Sequence, residues 1–244
     1  MKKKKVVIVI PARFGSTRFP GKPLVLLGGK PIIQHVYEAV KSLGVPVIVA
    51  TDNEPIEKAV IAFGGECKMT SEEHQSGSDR IAEVIKELDY DVIVNVQGDE
   101  PFIKVEPLRE LISAFEDDSV QVASLMHSLK EKTDIEDPNN VKVVCSEDNN
   151  ALYFSRLPIP YDRDATNKAK YFKHIGVYAY TKEALLSFIK LPLGNLEGVE
   201  KLEQLRYLEN GFKIKMVETN YTGIGIDTPL DLMKAENYLR SLKG

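Results

Sequence analysis

The chain has 244 residues, 43% of them hydrophobic and 28% charged, with a formal net charge of −4. That length holds one generous α/β domain or two small ones around a well-buried core. The charge balance excludes a broad nucleic-acid footprint, which needs a concentrated basic face, and no apolar run approaches the ~20 residues that span a bilayer. Cys67 and Cys145 lie far apart without paired spacing, which suits reduced thiols in the cytoplasm.

Met1 to Lys5 reads as a solvated tail, because the apolar segment behind it stops at Pro11, too soon for a secretory signal. Val6 to Ile10 is a run of β-branched residues bounded by Pro11, the pattern of a parallel strand buried on both faces. The loop that follows carries Arg13, Arg18 and Lys22, with Gly15, Ser16, Thr17 and Gly21 among them. Backbone amides can turn inward there while three cations face a polyphosphate. A solvated surface loop is the alternative for any one of these charges; three cations directly after a buried strand favour the phosphate. It is not a Walker loop, since five residues separate Gly15 from Gly21 and Pro23 follows Lys22.

Apolar spacing next predicts a helix from Pro31 to Val40, a strand from Val45 to Ala50 ending in Thr51-Asp52-Asn53, and a helix from Glu54 to Phe63. A strand from Glu66 to Met69 leads to the polar segment Ser71 to Arg80 and a helix through Ile81, Val84, Ile85 and Leu88. The fourth strand, Asp91 to Val96, ends in Gln97-Gly98-Asp99-Glu100-Pro101. This alternation predicts a doubly wound, mostly parallel (mixed) α/β sheet with helices on both faces, whose chemistry sits beyond the carboxyl ends of the strands. A helix from Val105 to Phe115 and a strand from Val120 to Leu125 follow. The rhythm then changes: Asn140 to Val144 and Ala151 to Ser155 flank an Asn-rich turn and predict a hairpin, and Ser155 to Lys173 is rich in prolines and charges. Residues 126–180 are therefore expected to form an insertion in a single domain spanning 1–244. His174 to Tyr180 returns as a strand, then helices from Thr181 to Ile189 and Glu197 to Leu208, a strand from Lys213 to Glu218, and a closing helix from Pro229.

Asp99 lies just past the apolar run Val92-Ile93-Val94. A carboxylate there is a candidate ligand for Mg²⁺, which takes one or two carboxylates together with phosphate oxygens; it is equally a turn-former before Glu100-Pro101. Asp227 is the candidate second ligand, or a helix cap, a role open also to Thr228 with Asp231 three residues on. Lys22 and Arg13 suit charge stabilisation at phosphates, whereas Arg18 could pair with a surface carboxylate. Ser76 to Arg80 reads on spacing as a helix cap followed by a salt bridge, and Ala50, Thr51 and Asp52 could border a base pocket. Arg156, His174, Tyr178, Glu203 and Gln204 suit an acidic, hydroxyl-rich sugar, the arginine answering a carboxylate. Glu200, Glu203 and Gln204 are expected on one helix face, with Glu200 solvated. His174 has no histidine or cysteine at ligand spacing.

The loop P-A-R-F-G-S-T-R-F-P-G-K-P-L, from Pro11 to Leu24, resembles the signature of sugar-activating nucleotidyltransferases. In detail it is similar to the 3-deoxy-D-manno-octulosonate (Kdo) cytidylyltransferase family, the CMP-Kdo synthetases. The resemblance continues through A-T-D at Ala50, H-Q-S-G-S-D-R at His74, V-N-V-Q-G-D-E-P at Val94, S-R-L-P-I-P at Ser155, H-I-G-V-Y-A-Y at His174, L-E-Q-L-R at Leu202 and G-I-D-T-P-L-D at Gly225. Phe19 stands where Leu or Met is usual, and Ser78 where Thr is usual. The resemblance implies that Pro11, Ala12, Arg13, Lys22, Ala50, Asp52, Ser76, Ser78, Arg80 and Gln97 surround CTP, with Arg13 and Lys22 on its phosphates. It implies that Asp99 and Asp227 hold Mg²⁺, and that Gln97, Arg156, His174, Tyr178, Glu203 and Gln204 line the Kdo site. It further implies a cytoplasmic homodimer joined partly through the inserted hairpin, making CMP-Kdo and pyrophosphate for lipopolysaccharide assembly. Three other readings remain: a CMP-sialate synthetase; a glycosyltransferase, whose D-x-D motif Gly98-Asp99-Glu100 does not supply; and a non-catalytic nucleotide sensor.

Overall fold

The computed structural model describes residues 4–15, 19–164, 169–223 and 225–242. Met1 to Lys3 of the tail, and Ser16, Thr17 and Arg18 of the first loop, lie outside the described residues. Packing divides the chain into two compact units, residues 1–106 with 223–244, and residues 107–222.

In the first unit four strands run parallel, in the spatial order Val92–Asn95, Val6–Ala12, Val47–Thr51 and Glu66–Met69. The central strand is buried from Val7 to Ala12, as a β-branched run covered on both faces should be. It extends through Pro11 to Ala12 instead of stopping at the proline. Helices Ile32–Lys41, Glu54–Ala62 and Gly77–Ile85 alternate with these strands. The third of them starts earlier than its apolar spacing implied, because Ser76 and Asp79 form a reciprocal capping box; Ser78 and Arg80 therefore ride on its opening turns. Thr228 and Asp231 form a second capping box at the head of Pro229–Ser241.

That last helix returns to the start of the chain. Leu27, Ile32, Ile226 and Ala235 are fully buried in one cluster, with Phe19, Val25, Phe102, Leu232 and Leu239 packed against it. Apolar burial thus holds the segment after the first strand against the segment that carries Asp227.

In the second unit the order is Ile214–Glu218, Val122–Leu129, Tyr171–Thr181, Lys142–Cys145 and Ala151–Ser155. The first pair is parallel and the remaining pairs are antiparallel. The expected hairpin is present as Lys142–Cys145 with Ala151–Ser155. The register of Tyr171–Thr181 against Val122–Leu129 shifts between Ile175 and Tyr178, and Ser124 Oγ donates there to the carbonyl of Val177 at 2.9 Å. A short helix, Lys132–Glu136, buries no residue, so no apolar period reveals it in the sequence.

The single helix expected from Glu197 to Leu208 is instead two, Asn195–Glu200 and Gln204–Glu209, separated by Lys201 in the left-handed region at φ 55°. Glu200 closes one helix and Gln204 opens the next, so they do not share a helix face. Across the break Arg206 grips Glu197 with two bonds of 2.6 and 2.5 Å, and its guanidinium lies 4.6 Å from the Phe188 ring. A bidentate pair between positions nine apart draws the second helix back beside the first.

Gly28 sits at φ +57°, and a Cβ there would run into the Leu239 side chain of the closing helix. Gly28→Ala is expected to lower stability by about 1–2 kcal/mol from the left-handed backbone alone. Urea unfolding checks this, and an unshifted midpoint would show that the turn does not clamp the last helix.

Candidate functional site

Lys22 opens the short turn Lys22–Leu24, directly after Gly21 at φ 68°. The Gly21 amide donates to the carbonyl of Phe14 at 3.0 Å, which closes the loop on itself. The Lys22 ammonium then donates to Asp99 Oδ2 at 2.5 Å and to Asp227 Oδ1 at 3.0 Å, partners 77 and 205 residues away. Three local devices bring them together. A Cβ at Gly98 would meet the Pro11 carbonyl at 3.1 Å, so glycine permits this close passage by the first strand. The amide of Ile226 donates to the Asp99 carbonyl at 2.9 Å, tying the two acidic segments by their backbones. Thr228 rather than Asp227 caps the last helix, leaving the Asp227 carboxylate to face the lysine.

The Lys22 side chain is 13% exposed, Asp99 28% and Asp227 48%, so the ion cluster is most desolvated at its cation and opens toward Asp227. Burial works against the charged ammonium, but the two carboxylates outweigh it and raise the Lys22 pKa. Two carboxylates already converging on one cation are a donor set that suits a divalent ion completed by ligand oxygens and water. Among the described residues no group of three or more His, Cys, Asp or Glu is placed to hold a metal.

The first unit carries further polar candidates. Arg80, 3% exposed, donates through Nη2 to Asp52 Oδ2 and through Nη1 to Thr70 Oγ1. Asp52 is thereby held at the end of its strand. Ser76 Oγ accepts the Asp79 amide at 3.1 Å and donates to the Asp79 carboxylate at 2.8 Å, so its hydroxyl serves the cap, the structural role that its spacing suggested. Ser78 is buried, as are Pro11, Ala12 and Ala50, while Arg13 is exposed. Gln97 Nε2 donates to Asn95 Oδ1 at 2.8 Å.

The second unit carries the remaining candidates. Arg156 Nε donates to the Glu200 carbonyl at 2.8 Å and Nη1 to the Pro138 carbonyl at 3.1 Å. Glu200, expected to be solvated, accepts Ser155 Oγ at 2.9 Å and the Arg156 amide at 3.1 Å. No sequence spacing links positions 156 and 200, so only folding reveals that brace. His174 is buried with both ring nitrogens engaged, Nε2 with Ser124 Oγ at 2.9 Å and Nδ1 with Gln204 Nε2 at 3.4 Å. Ser124 was not among the expected site residues; a lone hydroxyl inside an apolar strand was the signal for it. Tyr178 lies 5.3 Å from the His174 ring, centroid to centroid, and burial pushes its phenol well above the usual range. Glu203 is half-buried at the head of Gln204–Glu209.

Burial pushes the His174 imidazole down to about 3. Because an unfolded histidine titrates near 6.5, the unfolded chain binds an extra proton between those values. This contribution to stability is complete above about pH 6.5 and is lost progressively as pH falls toward 3. His174→Gln is therefore expected to flatten the decline of the urea midpoint from neutral pH toward pH 4; identical pH slopes would mean that the ring is not buried neutral.

The family model described as cytidylyltransferase matches residues 7–214. A protein of Flavobacterium johnsoniae named 3-deoxy-manno-octulosonate cytidylyltransferase is 50% identical over 243 residues, covering 98% of this chain and 100% of that protein. A protein of the same name from Christiangramia forsetii is 48% identical, covering 97% of this chain and 98% of the other. Among solved structures, CMP:2-keto-3-deoxy-manno-octonic acid synthetase complexed with CTP superposes with a TM-score of 0.94 at 45% identity, covering 98% of this chain and 99% of that one.

Proposed function

The chain belongs to the cytidylyltransferase family, and from that premise we propose that it activates an acidic sugar: CTP and Kdo give CMP-Kdo and pyrophosphate. The observation that carries this reading is the meeting of Lys22, Asp99 and Asp227, three charged groups from distant segments converging on one partly desolvated point. The full-length likeness to proteins named for this activity supports the choice of Kdo.

The anomeric hydroxyl oxygen of Kdo forms the new bond to the α-phosphorus of CTP, the bond from that phosphorus to the β-phosphate bridge breaks in line with it, and the hydroxyl's proton ends on the departing pyrophosphate. Lys22, with Arg13 at the loop's exposed side, takes the charge of the departing pyrophosphate. Asp99 and Asp227 would hold Mg²⁺, which supplies charge neutralisation at the phosphates and acidifies a nearby hydroxyl. Arg80 fixes Asp52 at the base side, and Ser78 and Gln97 complete the nucleotide set. Arg156 receives the sugar carboxylate. Neutral His174 orders Gln204 and Tyr178 toward sugar hydroxyls, with Glu203 beside them.

The free thiols of Cys67 and Cys145 support a cytoplasmic setting, and among the described residues no helix is long and apolar enough to cross a membrane. Exposed Leu152, Leu157 and Tyr161 support the inserted region as the place where two copies meet.

Pyrophosphate release measured with CTP and either Kdo or a sialic acid tests the reading; turnover with the sialic acid alone would overturn it in favour of a CMP-sialate synthetase, and CTP binding without any turnover would leave a sensor. Asp99→Ala is expected to lower turnover by about two orders of magnitude or more at saturating metal. Near-normal pyrophosphate release would remove Asp99 from the mechanism. Lys22→Met takes away the ammonium that the two carboxylates share, so Mn²⁺ is expected to bind the nucleotide-free variant about tenfold more tightly than the unaltered protein. Mn²⁺ spectroscopy reads this without turnover, and equal affinities would mean the carboxylates do not share a cation site.

A further inference from the structure

Lys142 is 0% exposed, and its ammonium donates to two backbone carbonyls, those of Asp137 at 2.9 Å and Arg156 at 2.5 Å. Burial lowers its pKa, as expected for a cation answered by carbonyl dipoles rather than by a bonded carboxylate. A methionine of similar length would fill the same space without that desolvation cost, so the ammonium needs a reason other than packing.

The two carbonyls it holds point to one. The first belongs to Arg156 itself. The second belongs to Asp137, next to Pro138, whose carbonyl receives Arg156 Nη1. Lys142 therefore grips the main chain both at the root of the arginine and at the turn that catches its fork. Glu200 completes the brace through the Arg156 amide and its own carbonyl. Nη2 of Arg156 has no protein partner among the described residues, which leaves one edge of the guanidinium to answer a carboxylate.

We propose that Lys142 is the positioning residue for acceptor recognition: from within the protein it fixes Arg156 in the orientation that receives the carboxylate of the sugar acid. This rests on Arg156 being the group that takes that carboxylate. A long side chain fixed before binding loses less freedom when the substrate arrives, so the benefit falls on sugar affinity rather than on the chemical step.

Steady-state kinetics with CTP and Kdo on Lys142→Met, Arg156→Ala and the double variant test the inference. Lys142→Met is expected to raise KM for Kdo by about tenfold, with KM for CTP and kcat unchanged, and to add nothing in the Arg156→Ala background. A purely structural role would lower the active fraction, reducing kcat with both KM values unchanged, and would overturn the proposal. So would an unaltered KM for Kdo, or an equal loss in both backgrounds. If Arg156→Ala itself leaves KM for Kdo unchanged, the assigned role of Arg156 falls and this inference with it; that outcome is distinct, because in the others Arg156→Ala keeps its effect. Should Lys142→Met fail to fold, Lys142→Gln replaces it, since its shorter, uncharged amide grips the Asp137 and Arg156 carbonyls more weakly than the ammonium does. The same selective rise in KM for Kdo is expected, and no rise overturns the proposal.

Discussion

Lys22 meets Asp99 and Asp227 in a partly dry setting, and the first unit is arranged so that this meeting can persist. Isolated, each of the three charges would be better solvated in water; together the one ammonium offsets part of the charge of two carboxylates, and its removal would leave two like charges facing each other. The backbone bond from Ile226 to Asp99, the close passage at Gly98 and the buried cluster of Leu27, Ile32, Ile226 and Ala235 hold the geometry without drawing on the charges themselves. Apolar packing and main-chain bonding thus keep charged groups oriented before any ligand arrives, the condition under which electrostatic stabilisation is most effective.

The second unit uses a different kind of polarity. Around His174 the interactions are between neutral groups: Ser124 on one ring nitrogen, Gln204 on the other, and the rings of Phe154 and Tyr178 against its faces and edges. A neutral imidazole with both nitrogens satisfied is a directional scaffold, fit for the hydroxyls of the proposed sugar. Among the proposed sugar contacts the cation is Arg156, and there the brace from Glu200 and Lys142 is built largely from backbone carbonyls. Arg156 therefore keeps its own charge unspent by a buried carboxylate partner, as reception of an anionic sugar requires.

Much of this was legible in the sequence because it follows from local composition. The β-branched run from Val6, the Gly-Asp turn after Val92 to Val94, the cap signal at Ser76 and the T-P-L-D start of the last helix are each encoded within a few residues, so the alternating strands and helices of the first unit emerge from pattern alone. The sequence also names the charged and polar candidates that folding brings together, Lys22 with Asp99 and Asp227, and His174 with Gln204. Where the expectation went astray, long-range partners had overruled local preference. Glu197 to Leu208 has helical spacing throughout, but the Glu197–Arg206 pair stabilises a reversal at Lys201. Glu200 looked solvated because its partners, Ser155 and Arg156, are over forty residues away.

By itself, then, the sequence determined the order of strands and helices, the kinds of charge available and the family likeness, because spacing, capping and turn chemistry act over a few bonds. Tertiary structure decided which carboxylates share a cation, which serine hydroxyl meets His174, and that Lys142 is inside. These depend on burial and on partners supplied by distant segments, and a side chain's protonation and orientation are set by its neighbours in space rather than along the chain.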